Sequence, residues 1–377
     1  MKIMAITTTR ADYGIMSDLL KELQNSAKVD LKLVVSGTHI SKKFGTTIYE
    51  IINDGIEVSH ALDFPLEDET EAGLCASTGG LLQDFGKLLG KEKPDLIMVL
   101  GDRFEILAPV TCAVIRRIPI AHIHGGEITL GAIDNKIRDA VTQMANIHFV
   151  ATAQAATRIH TMKPNDKDVY HVGSLSVDKL SRVKLMNRSE LAKHYGWDIN
   201  GKVAIITYHP ETVSPTSPLE QVEELIRALD EYPELFMVIT FSNADFGGGK
   251  ISRRLDEFAS ERENVVVHAS LGQEAYLSCL ANFDLVIGNS SSAIIEAPIF
   301  GLPIVNIGGR QTGREMAPNV INVDCKYESI KAGVDDALQR PRYLKQNIYD
   351  LPYGKLGATA SILAVLEQFS CEQVRSV

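Results

Sequence analysis

The sequence predicts an α/β protein built from two Rossmann-like domains, and three observations carry that expectation. Short, continuous Val/Ile/Leu runs alternate with longer amphipathic stretches along the chain, as buried parallel strands alternate with crossover helices. The runs form two series, separated by a polar, helix-prone segment, 176–200, without strand character. The 377 residues, 45% hydrophobic and 23% charged, suit a globular chain long enough for two ordinary domains.

The first series of expected strands is Ile3–Thr7, Leu31–Ser36, Leu96–Gly101, Ile118–His124, Ile147–Ala151 and Val169–Gly173. The second is Val203–Thr207, Phe236–Phe241, Val265–His268, Leu285–Gly288 and Pro303–Ile307. Helical patterning is expected in Ile15–Gln24, Thr78–Gly90, Ile133–Met144, Pro218–Asp230 and Gln273–Ala281. The domains are expected at 1–175 and 201–355, with a linker at 176–200. A tail at 356–377 carries a helical stretch, Gly357–Phe369, expected to pack back on the first domain.

Charge and cysteine content narrow the function classes. A net charge of −10 and a pI near 5.5 argue against nucleic acid or an anionic membrane as partner. Any anion site must then be a local patch. Five scattered cysteines, an odd number with no C-x-x-C, argue against a disulfide framework or a zinc ribbon. The apolar start before Arg10 and Asp12 is too short for a signal sequence, and no apolar run reaches membrane-spanning length. A cytoplasmic protein is expected.

The chemistry is expected beyond the carboxyl ends of the strands, where open α/β sheets bind ligands. The most informative stretch is Gly288-Asn289-Ser290-Ser291-Ser292, which follows a strand run and opens a helical one. Three hydroxyls and a row of N–H groups at a helix start suit a phosphate, and Glu296 follows where it can reach a ribose diol. A Ser-rich N-cap is the plain alternative. Arg310 and Arg314 flank Gly313 after another strand, and bidentate guanidinium groups suit diphosphate oxygens. Further polar strand ends are Thr7 to Gly14, read as a turn carrying Arg10, then Ser36 to His39, Gly101-Asp102-Arg103, His122 to Glu127 and Tyr208-His209-Pro210-Glu211. Taken together they place Asp, Glu, His and Arg where acid–base work on an anionic ligand is possible.

His122 and His124 are expected to share a strand face. A metal site with Glu127 is disfavoured, because Gly125-Gly126 breaks the strand and no further ligand is apparent. The segment Asn243–Lys250 lacks P-loop spacing and is read as a mobile loop.

The ordered motifs Thr9-Arg10-Ala11-Asp12-Tyr13-Gly14, Gly101-Asp102-Arg103-Phe104-Glu105, His122-Ile123-His124-Gly125-Gly126-Glu127, Gly131-Ala132-Ile133-Asp134, Gly288 to Ser292 and Arg310-Gln311-Thr312-Gly313-Arg314-Glu315 run across essentially the whole chain. In this order the sequence resembles the bacterial hydrolysing UDP-N-acetylglucosamine 2-epimerases that supply N-acetylmannosamine for sialic acid synthesis. The resemblance implies a glycosyltransferase-B architecture with an interdomain cleft, UDP held mainly by the C-terminal domain, and no metal or redox cofactor. It implies elimination of UDP across C1 and C2, then hydration of a 2-acetamidoglucal. It also implies a cytoplasmic homo-oligomer whose partner is the nucleotide sugar.

By motif position, the catalytic groups implied are Asp102, Glu127, Asp134 and His209, with His124. The UDP and substrate contacts implied are Arg10, His39, Arg103, Ser290, Ser291, Ser292, Glu296, Arg310, Gly313 and Arg314. Some relatives carry a catalytic Glu where this chain has His124, and the segment to Asp134 is one residue longer here. Glu127 takes over that role, or His124 replaces it. The alternatives are the same chemistry on a UDP-2,4-diacetamido-2,4,6-trideoxy sugar, a non-hydrolysing epimerase, a glycosyltransferase, and a nucleotide-sugar-binding regulator without turnover.

Overall fold

The computed structural model describes residues 1–41, 46–65, 70–242, 247–343 and 347–369. It resolves into two compact units. The first comprises Met1–Glu127, Asp134–Lys179 and the chain from Lys355, and the second Ile128–Ile133 and Leu180–Gly354.

The first unit runs β1 (Lys2–Thr7), α1 (Arg10–Asn25), β2 (Asp30–Val35), α2 (Ile48–Asn53), β3 (Val58–Ala61), α3 (Glu71–Glu92), β4 (Leu96–Leu100), α4 (Leu107–Arg116) and β5 (Ile120–Ile123). It continues with α5 (Asp134–Met144), β6 (Ile147–Val150), α6 (Ala153–Met162), β7 (Val169–His171) and α7 (Leu175–Lys179). Its sheet is seven-stranded, in the order β3-β2-β1-β4-β5-β6-β7. Every pairing is parallel. β1 and β4 bury Ile3–Ile6 and Leu96–Val99 almost completely, which is why they read as unbroken apolar runs.

The second unit runs α8 (Arg188–Tyr195), β8 (Val203–Thr207), α9 (Pro218–Leu229), β9 (Phe236–Thr240), α10 (Gly248–Ser260), β10 (Val265–His268) and α11 (Gln273–Asn282). Then come β11 (Leu285–Gly288), α12 (Ser291–Ile295), β12 (Ile304–Ile307), β13 (Val320–Val323) and α13 (Tyr327–Gln339). Its six-stranded sheet, also all parallel, has the order β10-β9-β8-β11-β12-β13. The two-sheet α/β fold class expected from the sequence is the one observed. In each sheet the strand order reverses once, between β1 and β4 and between β8 and β11, and the crevice at such a reversal is where doubly wound sheets bind ligands.

Four expectations need correction or extension. Two edge strands, β3 and β13, were not expected. The stretch Arg10 to Gly14 is not a turn. It is the first turn of α1, whose start is fixed by a reciprocal capping box between Thr9 and Asp12. His124 does not continue β5. Its φ is +61°, a left-handed conformation that takes it out of the pleat, so it does not share a strand face with His122. Of the expected mobile loop, 243–246 lies outside the described residues, while Gly248 and Gly249 belong to α10.

The closing helix, α14 (Ala358–Gln368), belongs to the first unit and places Ala358, Ile362 and Leu366 in its core. Asp178 of α7 fixes its start. The two carboxylate oxygens accept N–H bonds from Gly357 at 2.7 Å and Thr359 at 3.0 Å, using donors that a helix N-terminus leaves open. Hydrogen bonds to a buried charged group contribute about 1.5–3 kcal/mol. Asp178→Ala should therefore lower unfolding free energy in urea by about that amount and speed amide exchange along α14 before the rest of the first unit. Unchanged exchange along α14 would show that its apolar face alone holds it.

Candidate active site

In the first unit, the residues after β4 and β5 form one hydrogen-bonded group. His122 lies fully buried on β5, with Nε2 2.7 Å from the Gly101 carbonyl oxygen and Nδ1 3.3 Å from the Thr142 hydroxyl. Burial pushes its pKa down to about 3, against the favourable bond to Gly101 and with further lowering from His148 and His124. A neutral ring facing a carbonyl must carry its proton on Nε2, so Nδ1 accepts from Thr142. His122 thereby holds the turn that presents Asp102.

Arg138, on α5, connects the rest. Its side chain is 3% exposed. Nη2 donates to Asp102 Oδ2, and Nη1 donates to the Glu127 carbonyl oxygen at 3.0 Å. The Glu127 side chain is buried too, with Oε1 3.8 Å from Nδ1 of buried His124. Asp134 begins α5 and sits one turn before Arg138, at the i,i+4 spacing that shares a helix face. Arg138 thus joins the Asp102 side chain to the Glu127 backbone, His124 faces the Glu127 carboxylate, and Asp134 lies on the same helix as Arg138.

The remaining first-unit candidates are engaged elsewhere. The Arg103 guanidinium grips Glu105, with Nη2 to Oε1 at 2.8 Å. Burial pushes the Glu105 carboxyl up while Arg103 pulls it down. Arg10 donates to Glu50 of α2. His39 is fully buried between the Thr7 hydroxyl at 3.0 Å and the Thr47 hydroxyl at 2.8 Å, so both ring nitrogens are occupied. Burial lowers its pKa, with the Asp12 carboxylate opposing.

In the second unit, Asn289 is the hub. It lies fully buried at the end of β11, beside the strand-order reversal. Its side chain accepts from the His209 N–H at 2.7 Å and donates to the His209 carbonyl at 2.8 Å, locking that residue's backbone after β8. His209 Nδ1 is 3.1 Å from the Ser242 hydroxyl. The Asn289 carbonyl in turn accepts from Arg310 Nη1 at 3.2 Å and Gln311 Nε2 at 2.7 Å. Ser290 caps α12 by accepting from the Ser292 N–H at 3.4 Å, and the Ser292 hydroxyl donates to Glu296 at 2.7 Å. The helix opened by the serines is only five residues long before it tightens into a 3₁₀ turn.

Glu211 braces the next turn. Its Oε2 accepts the Gly309 N–H at 2.9 Å. Burial raises its pKa, against that bond and the charge of Arg310. A cavity of about 1110 Å³ opens alongside, lined by Glu211, Gly309, Gly313, Arg314, Asp324 and Asp336 among others. Ser290 to Ser292 and Glu296 do not line it.

The comparisons with known proteins come to bear on this geometry. The family model for UDP-N-acetylglucosamine 2-epimerase matches residues 21–367. The chain belongs to that family. It is 34% identical over 348 residues, 92% of each chain, to the UDP-N,N'-diacetylbacillosamine 2-epimerase (hydrolyzing) of Legionella pneumophila. It is 31% identical over 369 residues to the polysialic acid biosynthesis protein P7 of Escherichia coli, covering 98% of this chain and 94% of that one. A crystal structure of the UDP-GlcNAc 2-epimerase of Neisseria meningitidis, bound to UDP-GlcNAc, shares the fold, with a TM-score of 0.79 and 16% identity over 98% of this chain and 100% of that one.

For an epimerase-family chain, the residues missed by sequence reasoning are those that hold the candidates in place: Arg138, Glu105, Asn289, Gln311 and Glu211. The one usable signal is the placement of Asn289, Gln311, Glu105 and Glu211 inside motifs and strand ends already singled out. Arg138 carries none.

The buried His122 gives a pH prediction. The unfolded ring takes a proton below about pH 6.5, the folded ring only near pH 3. Between those values the unfolded state holds more protons, so the stabilisation from His122 is complete above about pH 6.5 and is lost as pH falls towards 3. His122→Gln keeps a donor for the Gly101 carbonyl and removes this titration. Unfolding free energy measured across that range should fall less steeply in the variant. His148, lowered to about 4 by burial, is present in both proteins and cancels. Parallel curves would show that His122 does not enter the folded protein neutral.

Proposed function

We propose that this chain is a hydrolysing 2-epimerase acting in the cytoplasm, converting UDP-N-acetylglucosamine and water to UDP and N-acetylmannosamine. The observation that carries the reading is that Arg138 binds the Asp102 carboxylate and the Glu127 backbone, with His124 facing the Glu127 carboxylate, at the ends of β4 and β5, beside the β1/β4 reversal. The hydrolysing name of the Legionella relative supports the fate of the nucleotide.

The reaction needs a base for the weakly acidic C2–H while the C1–O bond to UDP breaks, forming the C1=C2 bond of a 2-acetamidoglucal. Water then adds its hydroxyl to C1, and a proton returns to C2 from the opposite face. Two proton-transfer groups are required, and Glu127, Asp102 and Asp134 supply the carboxylates. Glu127 is assigned the role that some relatives give to a Glu at the position of His124. The buried His124 imidazole, 3.8 Å away, orients it. His209 acts near the leaving group. Arg310, Arg314, Gly313 and the serines 290–292 carry the diphosphate, where developing charge needs preorganised donors, and Glu296 takes the ribose. Arg10 and Arg103 contribute only by leaving Glu50 and Glu105 for the substrate, and His39 braces the turn between Thr7 and Thr47.

A second reading keeps the chemistry and changes the sugar to a UDP-2,4-diacetamido-2,4,6-trideoxy sugar. The 34% identity to an enzyme named for UDP-N,N'-diacetylbacillosamine favours it.

Incubation with UDP-N-acetylglucosamine in deuterated water should release UDP and free N-acetylmannosamine carrying deuterium at C2, read by NMR. Product that retains its C2 hydrogen would overturn the elimination. UDP-N-acetylmannosamine as product would mean a non-hydrolysing enzyme, and a larger kcat/KM for the diacetamido substrate would select the second reading. Glu127→Gln should lower kcat about a hundredfold or more, whereas His124→Gln, which keeps one amide donor, should be milder. The reverse order would move the role to His124.

A further inference from the structure

Between Glu127 and Asp134 the chain leaves the first unit for six residues, 128–133, which pack with the second. Within the second unit these residues are fastened to the turn that carries Arg310 and Arg314 and to the loop after β8. The Leu130 N–H donates to the Thr312 carbonyl at 3.0 Å, and the Ile133 N–H donates to the Thr212 hydroxyl at 3.1 Å. The backbones also meet directly. A Cβ on Gly131 would lie 2.3 Å from the Gly309 carbonyl oxygen and 2.5 Å from Arg310 Cα. A Cβ on Gly313, where φ is +95°, would lie 2.3 Å from Ile128 Cγ2. Only glycine allows either approach, so the two segments fit by mutual removal of side chains.

We propose that residues 128–133 are a tether that makes the placement of Glu127 and Asp134 depend on whether the 309–314 turn holds a nucleotide diphosphate. The proposal rests on the functional reading above. Six residues span at most about 20 Å when extended; one hydrogen bond and two glycine contacts fix this segment to the turn, and a second bond ties it to Thr212 after β8. A shift of Arg310 or Arg314 therefore carries the segment with it. Both of its ends are proposed acid–base residues, so a movement of the turn reaches both through the chain itself. Binding energy gained at the diphosphate is then used to align proton-transfer groups, which is how remote contacts raise kcat rather than only lower KM. Gly131 and Thr212 are positioning residues in this scheme and touch no substrate.

Hydrogen exchange read by mass spectrometry, with UDP as the probe, tests the tether in the full chain. In the wild type, UDP should slow exchange in peptides covering 308–314 and in those covering 126–134, each about fivefold or more. Thr212→Val removes the Ile133 anchor and leaves the 309–314 turn untouched; it should keep the response at 308–314 and a Kd for UDP within a few-fold, weaken the response at 126–134, and lower kcat about tenfold. Gly131→Ala, whose Cβ presses on Gly309 and Arg310, should lose the response at 126–134 and also weaken UDP binding. A wild type protected at 308–314 but not at 126–134, or variants that keep both responses, would overturn the tether. No protection in either segment would overturn the nucleotide-site reading beneath it.

Discussion

Parallel pairing throughout both sheets decides where this chain can do chemistry. In a parallel sheet every strand delivers its next residue to the same edge, and the strand interiors admit few polar groups because helices cover both faces. Most comply: β4 is Leu-Ile-Met-Val-Leu, and β8 is Val-Ala-Ile-Ile-Thr, buried along its length, while His122 on β5 and His148 on β6 are buried against hydrogen-bond partners. The polar side chains are thus displaced to the carboxyl ends, and the reversal of strand order opens a crevice there. Asp12 and Asp102 stand after the strands flanking one reversal, His209 and Asn289 after those flanking the other.

Gathering charges at a buried edge has a cost, and the structure shows how it is offset. Arg138 and Glu105 are almost fully buried, yet each faces a group of opposite charge. Exposed pairs such as Lys87–Asp84 contribute about 0–1 kcal/mol. Stripping one partner from a buried pair costs about 3–5 kcal/mol, because the charge left behind has no water. The Arg138–Asp102 pair is therefore a structural commitment, whatever chemistry Asp102 performs. Loss of activity on changing Asp102 has to be separated from disturbance of the Glu127 backbone, which the same guanidinium holds.

The sheets were legible because buried strands are written as apolar runs, and the exceptions follow from the same physics. β3, Val-Ser-His-Ala, lies at a sheet edge and buries none of its residues fully, so it has no run to read. β13, Val-Ile-Asn-Val, is another half-buried edge strand, interrupted by Asn322. The start of α1 reads as a turn because Thr7-Thr8-Thr9 has turn composition, although Thr9 and Asp12 carry the spacing of a capping box. At the candidate site, strand-end residues could be found because topology puts them there. Arg138 could not. Its partner Asp102 is 36 positions away, and within α5 it reads as one more charge on a polar helix. The grip of Asn289 on His209 spans 80 positions and is equally silent in sequence. Such contacts exist only once the sheets have formed.

His124 shows how one backbone choice reaches the chemistry. A non-glycine residue at positive φ is uncommon, though histidine adopts it more readily than most. The strain is held by the sheet itself, since the His124 N–H still donates to the Phe149 carbonyl at 2.8 Å, prolonging the β5–β6 pairing by one bond. After that bond the chain must leave the sheet. The left-handed step turns the imidazole out of register with His122 and towards Glu127, three residues on. A strand continued by one more regular residue would have set the two histidines on one face, the arrangement a metal site would want. The turn instead gives them separate partners: His122 braces the backbone that presents Asp102, and His124 faces a carboxylate. Strain kept at such a position is a reason to look for function there, and the division of partners favours proton transfer by Glu127 over metal binding by the histidine pair.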